Sequence, residues 1–346
     1  MKHQTTRYGE IPFYKIGTFG NTADAFISKK LFLEYKTKYS FPKKGDILIS
    51  ASGTIGRAVI YDGKPAYFQD SNIVWIDNDE TLVKNDFLFY AYSNVKWNTE
   101  HTTILRLYND NFRNTLIPLP PLNEQSAIAN ILSGLDRYLC ALDALILKKE
   151  GVKKALSFEL LSQRKRLKGF NQAWQRVRLG DIANYLTSNL SVEQITQQGK
   201  IKVYDVNNFI GYTDTTFISD KPYISIVKDG SVGRVRILPP KTNILSTMGA
   251  LIANHRTTTE FLFYLLSNFD FKNFTSGSII PHIYFKDYKE KTIFLPPLNE
   301  QSAIANILSA LDNEIASLKN KKRQFENIKK ALNHDLMSAK IRVLKK

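Results

Sequence analysis

The chain has 346 residues, with 48 Lys+Arg against 32 Asp+Glu and a net charge of +16. Its 43% hydrophobic and 12% aromatic content excludes a disordered or low-complexity chain, and the single cysteine, Cys140, excludes a disulfide framework and a cysteine-based zinc site and fits a reducing compartment. The basic surplus points to a polyanionic partner, nucleic acid before a membrane surface.

No apolar run reaches the roughly 18 residues that span a bilayer. Residues 1–7 lack the apolar core of a signal peptide. The expectation is a soluble, cytoplasmic protein of about two domains, with no membrane partner.

From the N-terminus, strand-like runs at 46–50 and 58–61 bracket a glycine turn, Gly53-Thr54-Ile55-Gly56-Arg57. Phe87 to Ser93 reads as a short buried helix. Pro120-Pro121 ends an extended segment. Asn123 suits an N-cap, and Glu124 puts negative charge in the first turn of a long helix. Leu132, Leu135, Leu139, Leu142, Ile146, Lys149, Lys153, Leu156 and Leu160 then recur at alternating spacings of 3 and 4, a coiled-coil seam. Gly169, preceded by Arg164, Lys165, Arg166 and Lys168, is the expected stop.

The pattern then starts again. Strand-like runs at 201–204 and 235–238 accompany a second turn, Gly230-Ser231-Val232-Gly233-Arg234. Phe261 to Ser267 forms another short helix, and Pro296-Pro297 opens a second seam through Leu308, Leu311, Ile315, Leu318, Lys322, Phe325, Lys329, Leu332 and Leu336. Each long helix is about 40–45 residues, or roughly 60–65 Å. The seam lysines are open to two readings: snorkelling from a surface face, or marking where the helices splay or a partner packs. Cys140, beside Leu139, is expected as a small core or interface residue.

The two halves are an internal repeat. Leu119 to Asp136 (LPPLNEQSAIANILSGLD) and Leu295 to Asp312 (LPPLNEQSAIANILSALD) differ only at Gly134 against Ala310, at an offset of 176. The globular parts have diverged. The expected fold class is α+β: two mixed α/β domains separated by two long antiparallel coiled-coil helices, with a pseudo-twofold repeat. The boundaries are 1–118, 119–168, 169–294 and 295–346.

A basic chain of two variable domains, each followed by Pro-Pro-Leu-Asn-Glu-Gln opening a long helix, resembles the specificity (S) subunit of type I restriction-modification systems. The resemblance covers essentially the whole chain. It includes Gly45-Asp46-Ile47-Leu48 leading into the hairpin, and Trp174 to Ala183 (WQRVRLGDIA), which is similar to the opening of a target-recognition domain. It implies that each globular part reads one half of an asymmetric bipartite site on double-stranded DNA. The helices would set the spacer and dock two methyltransferase (M) subunits, and restriction (R) subunits would join that core. S-adenosylmethionine would belong to the methyltransferase partner, and no cofactor or metal to this chain. Against that pattern, the first domain lacks the Trp-x-x-Val-x-Leu-Gly-Asp opening. The tail Ile341-Arg342-Val343-Leu344, whose alternation suits an edge strand, is a candidate to fill the gap.

DNA readers place cations on phosphates for affinity and polar side chains on base edges for specificity. Candidates in the two turns are Ser52, Thr54, Arg57, Ser231 and Arg234, where glycines let backbone amides approach a phosphate and arginine pairs with phosphate or guanine; the alternative is a hairpin whose glycines only supply positive φ. Thr103 to Asn111 corresponds to Ile279 to Asp287, setting Arg106 and Tyr108 against His282 and Tyr284. The resemblance puts this stretch on the DNA side. Lys15, Lys43, Lys44 and Lys228 are candidate phosphate contacts, and Gln69, Asp70, Ser71 and Asn72 a polar cluster suited to base edges or a simple turn. No methyltransferase, dinucleotide or Walker motif is present, and the five histidines lack metal-ligand spacing. The chain is therefore expected to be a non-catalytic subunit. Alternatives are a subunit of a related fused restriction-methylation system, a silent recombination cassette, and a helical scaffold that does not bind DNA.

Overall fold

The computed structural model describes residues 4–68, 72–97, 106–277 and 279–344. In chain order its elements are β1 (Ile11–Tyr14), β2 (Phe26–Ile27), α1 (Lys29–Lys38), β3 (Ile47–Ser50), β4 (Ala58–Ile60), β5 (Tyr67–Phe68), β6 (Ile73–Trp75), α2 (Asn85–Tyr92), α3 (Asn109–Arg113) and the long α4 (Leu122–Leu161). There follow β7 (Gln175–Arg178), β8 (Ala183–Thr187), β9 (Ile201–Tyr204), β10 (Phe209–Thr213), β11 (Tyr223–Val227), β12 (Val235–Leu238), β13 (Thr242–Ile244), β14 (Met248–Ala253) and α5 (Thr259–Ser267). Last come β15 (Thr275–Ser276), β16 (His282–Ile283), α6 (Phe285–Tyr288), β17 (Thr292–Leu295) and the long α7 (Leu298–Met337). The chain forms two compact units, Met1–Asp143 with Asn320–Lys346, and Ala144–Lys319.

In the first unit, β1 pairs antiparallel with β2 and parallel with β5, and β3 pairs antiparallel with β4 and β6. Apolar side chains on β3 alternate between two cores: Leu48 packs with Phe19, Tyr61 and Ile73, while Ile47 and Ile49 pack with Leu88 and Tyr92 of α2. The other face of α2, Phe87 and Tyr90, packs on Ile128 and Leu132 of α4 and Leu336 of α7. Asp136 pairs with Lys329 and Asp143 with Lys322, so as one helix ascends by seven residues the other descends by seven, and the two run antiparallel.

The second unit repeats this plan. β9 pairs antiparallel with β10 and parallel with β13, and β11 pairs antiparallel with β12 and β14. Phe261, Leu262 and Leu265 of α5 share a core with Leu160 of α4 and Ile304 and Leu308 of α7. Five strands, β7, β8, β15, β16 and β17, have no counterpart among the described residues of the first unit. β8 adds a fourth strand beside β14, and β7 pairs with β17. The segment from β7 to β8 is the Trp174–Ala183 motif, whose Leu179 and Ile182 are fully buried. In the first unit the segment 116–119 forms no strand, and Leu116 is 94% exposed.

The Leu-Asn-Glu-Gln motif is explained by what its side chains hold. Gln125 and Gln301 are wholly buried. The Gln301 carbonyl oxygen accepts from the Thr258 amide at 3.0 Å and the Thr257 hydroxyl at 2.9 Å, and its amide donates to the Arg256 and Pro296 carbonyls at 2.9 and 2.8 Å. Gln125 accepts from the Lys84 amide at 2.7 Å and donates to the Leu82 and Pro120 carbonyls at 3.1 and 2.8 Å. Each glutamine thus ties the start of a long helix to the start of the short helix packed on it. Asn123 is not the N-cap: the helix begins at Leu122, and the Asn123 carbonyl oxygen accepts from the adjacent Glu124 amide at 2.9 Å. Glu124 is buried and accepts two bonds from the Arg342 guanidinium; Glu300 is equally buried and accepts two from Arg166 and one from the Trp174 indole at 3.0 Å.

Four expectations are corrected. α4 ends at Leu161 rather than Gly169, because Gln163 takes the left-handed conformation and the Lys165 amide closes back on the Glu159 carbonyl. Ala339 ends α7 in the same way. Cys140 is exposed, since it lies one residue off the buried seam. The seam lysines neither snorkel freely nor mark a splay. Lys149 and Lys153 pair with Glu314 and Asp312, and Lys322 and Lys329 with Asp143 and Asp136. The tail returns to the first unit, with Arg342 on Glu124 and Val343 against the Phe87 core, but 341–344 form no strand. Among the described residues, no helix is long and apolar enough to cross a membrane.

Gln301→Ala should cost about 2–4 kcal/mol, because it leaves buried backbone groups at two helix starts without partners. Equilibrium urea unfolding checks this; a loss under about 0.5 kcal/mol would show that the clamp is dispensable.

Candidate nucleic-acid interface

In each unit two segments meet: the turn of one hairpin and the loop that leads to the long helix. In the first unit the turn joins β3 to β4. The Gly56 amide donates to the Ser50 carbonyl and the Ser50 amide to the Arg57 carbonyl, both at 3.0 Å. Gly56 has φ +82°, and a Cβ there would lie 2.3 Å from the Trp97 indole nitrogen; Gly233 has φ +80°, and its Cβ would lie 2.6 Å from the Phe271 ring. The second glycine of each turn is thus required twice over, by its backbone conformation and by the aromatic ring packed on it.

The loop before the long helix runs alongside the turn. Ser52 and Arg106 form an isolated antiparallel bridge, and the Leu107 amide donates to the Ala51 carbonyl at 2.8 Å. In the second unit Asp229 and His282 form the corresponding bridge, and the Ile283 amide donates to the Lys228 carbonyl at 2.9 Å. The backbone frame is shared, and the side chains on it differ.

In the first unit the structure gathers Ser52, Thr54, Arg57 and Arg106, with Lys15 on the neighbouring loop, where Ile16 packs close to Gly53. Thr54, Arg57 and Arg106 are exposed. The Arg57 guanidinium donates to the Phe19 carbonyl at 3.1 Å, and Lys15 pairs with Asp24 at 2.9 Å. Ser52 is buried and donates to the Asn72 side-chain carbonyl at 2.8 Å, so Asn72 braces the turn. Tyr108 is exposed at the start of α3. Lys43 and Lys44 lie at the opposite, open end of the hairpin, and Lys43 pairs with Asp77 at 3.0 Å. Gln69, Asp70 and Ser71 lie outside the described residues.

In the second unit Lys228, His282 and Tyr284 come together around Asp229, with Ser231 and Arg234 on the adjoining turn. Ser231 and Arg234 are exposed on the turn. Sequence reasoning missed Asp229. Its carboxylate accepts from Lys228 Nζ at 2.8 Å and contacts His282 Nδ1 at 2.6 Å. Partial burial opposes ionisation of Asp229, but the hydrogen bonds from Lys228 and His282 outweigh it and hold the carboxyl below its ordinary range. The one signal in the sequence was an acid inside an otherwise basic turn. No group of side chains among the described residues has the makings of a metal site.

Against known proteins, the model of the type I restriction modification DNA specificity domain matches residues 1–149 and 171–327. A type I restriction enzyme specificity subunit from Haemophilus influenzae is 65% identical over 133 residues, 38% of this chain and 34% of that protein. The match therefore spans about a third of that relative's length. The MjaX type I restriction enzyme specificity subunit of Methanocaldococcus jannaschii is 28% identical over 337 residues, 86% of this chain and 79% of its own. The crystal structure of a type I restriction-modification system S subunit from M. genitalium superposes with a TM-score of 0.64 at 20% identity, over 97% of this chain and 91% of that one, and so shares the fold.

The lowered carboxyl range of Asp229 has a sign. Its stabilising contribution is held above the unfolded value of about 3.9 and is lost as pH falls through the lower folded value. The stability gap between the native chain and Asp229→Asn should therefore be open at neutral pH and narrow as pH falls below about 3.9. Paired urea titrations check this; a gap that does not change with pH would mean the carboxylate charge is not what holds the cluster.

Proposed function

Because the chain belongs to the type I restriction-modification DNA specificity domain family, we propose that it is the DNA-recognition subunit of such a complex and that each globular domain reads one half of a bipartite, asymmetric site. One observation carries this reading. The same turn-and-loop junction is built twice, with Ser52 and Arg106 in one copy and Asp229 and His282 in the other. A conserved frame with divergent polar side chains is what two readers of different half-sites require.

The part of this chain in the reaction is to bind, orient and space. Exposed cations around the turns, Arg57 and Arg234 among them, neutralise phosphates, and base-edge contacts from the neighbouring loops set the register. The near-identical opening segments of the long helices, 119–136 and 295–312, offer two like surfaces, suited to two copies of one methyltransferase subunit. Those subunits carry S-adenosylmethionine and the methyl-transfer chemistry, and restriction subunits join the assembly. The length of the helices fixes the spacer between half-sites, as the separation of reading elements does in dimeric DNA readers. The complex works in the cytoplasm, on the cell's own and incoming duplex DNA.

The test is retention of random-sequence duplex by the full chain across a salt series. Log affinity should fall linearly with log salt, by roughly 0.9 per phosphate neutralised. A flat response, or no retention, would replace the DNA reader with a helical scaffold.

A further inference from the structure

The turn-and-loop junction differs between the units in one chemical respect. In the first unit Ser52 turns its hydroxyl onto Asn72, and its bridge partner Arg106 is left exposed. In the second unit a carboxylate stands in that place. Asp229 takes a hydrogen bond from Lys228 at 2.8 Å and sits 2.6 Å from His282 Nδ1. An ionised carboxylate can only accept, so the imidazole donates its Nδ1–H to Asp229.

In the uncharged imidazole that bond fixes the tautomer and leaves Nε2 as a hydrogen-bond acceptor. The His282 side chain is 35% exposed. The Tyr284 ring lies nearly parallel to the imidazole, with centroids 6.4 Å apart, and is itself exposed. Ile279 and Ile280, on the same loop, are exposed apolar side chains. An acceptor presented beside exposed aromatic and apolar groups matches a base edge better than a phosphate, which offers no donor. Its complement in the major groove is an exocyclic amino group, N6 of adenine or N4 of cytosine. Arg106, at the corresponding place, offers donors only and complements guanine.

We propose that Asp229 is a positioning residue that fixes His282 as an acceptor-type reader of an amino-bearing base in the half-site read by the second unit. The inference rests on the DNA-recognition reading above. It assigns to this junction the difference between what the two domains read.

The experiment is selection of the full chain on a pool of random duplexes at about pH 8, where an ordinary imidazole is uncharged, followed by sequencing of the retained DNA. The native chain should enrich two blocks of fixed sequence. His282→Ala and Asp229→Asn should each flatten the same single position, in one block only, by roughly tenfold. His282→Arg should move the preference at that position to guanine. A purely structural cluster would not produce that switch, and it requires no change at Asp229. Enriched blocks that all three variants leave unaltered, or that all three weaken evenly, would overturn the assignment while leaving DNA recognition in place. A native chain that enriches no sequence would overturn DNA recognition and the assignment with it.

Discussion

Two carboxylates, Asp136 and Asp312, hold each reader to its helix pair. Asp136 on α4 accepts from Lys329 on α7 and, at 2.8 Å, from the Tyr90 hydroxyl on α2. Asp312 on α7 accepts from Lys153 on α4 and, at 2.9 Å, from the Tyr264 hydroxyl on α5. Three elements therefore converge on one anion in each unit. The lysine ammonium also lies over the tyrosine ring, at 5.6 Å from Tyr90 and 5.7 Å from Tyr264. Burial, reinforced by the neighbouring carboxylate, pushes both phenols up, so they remain donors throughout the physiological range. A hydrophobic seam alone would let two similar helices slide. An anion that accepts from two sides fixes their register and the seat of the recognition domain together.

Around that point the glutamine clamps set where each long helix starts. Gln125 and Gln301 join the proline-rich lead-in to the short helix of the recognition domain. A buried glutamate then takes an arginine from the segment just past the far end of the other long helix, Arg342 for Glu124 and Arg166 for Glu300. Leu-Asn-Glu-Gln is thus a mechanical motif. The second unit adds Trp174 to Glu300 and lays β7 and β8 against its sheets. In the described residues of the first unit no tryptophan joins Arg342 on Glu124, and 116–119 form no strand.

Much of this was legible in the sequence. The repeat, the two seams, the first hairpin and both short helices follow from periodicity and from glycine and proline placement, whereas β11, the partner of β12 in the second hairpin, was not read. The seam lysines did not resolve, because their partners lie more than 150 residues away in sequence and pairing across antiparallel helices leaves no local pattern. The end of α4 was misplaced because Gln163, not a glycine, takes the left-handed conformation. At the recognition junction, Arg106 and His282 were found by offset alone. Asp229 was passed over because an acid counts against DNA contact when charge is summed, whereas here it orients a neighbour. Asn72 was grouped with base-edge candidates, yet it braces Ser52.

The central claim is that one chain carries two different readers on one repeated frame. Single-molecule methylome sequencing of a host that carries this chain together with its methyltransferase partner tests it most directly. A single asymmetric motif of two unlike blocks, separated by a fixed run of unspecified bases and modified once on each strand, is the predicted result. A palindromic motif, a single continuous block, or a host whose methylation is unchanged by the chain would contradict it.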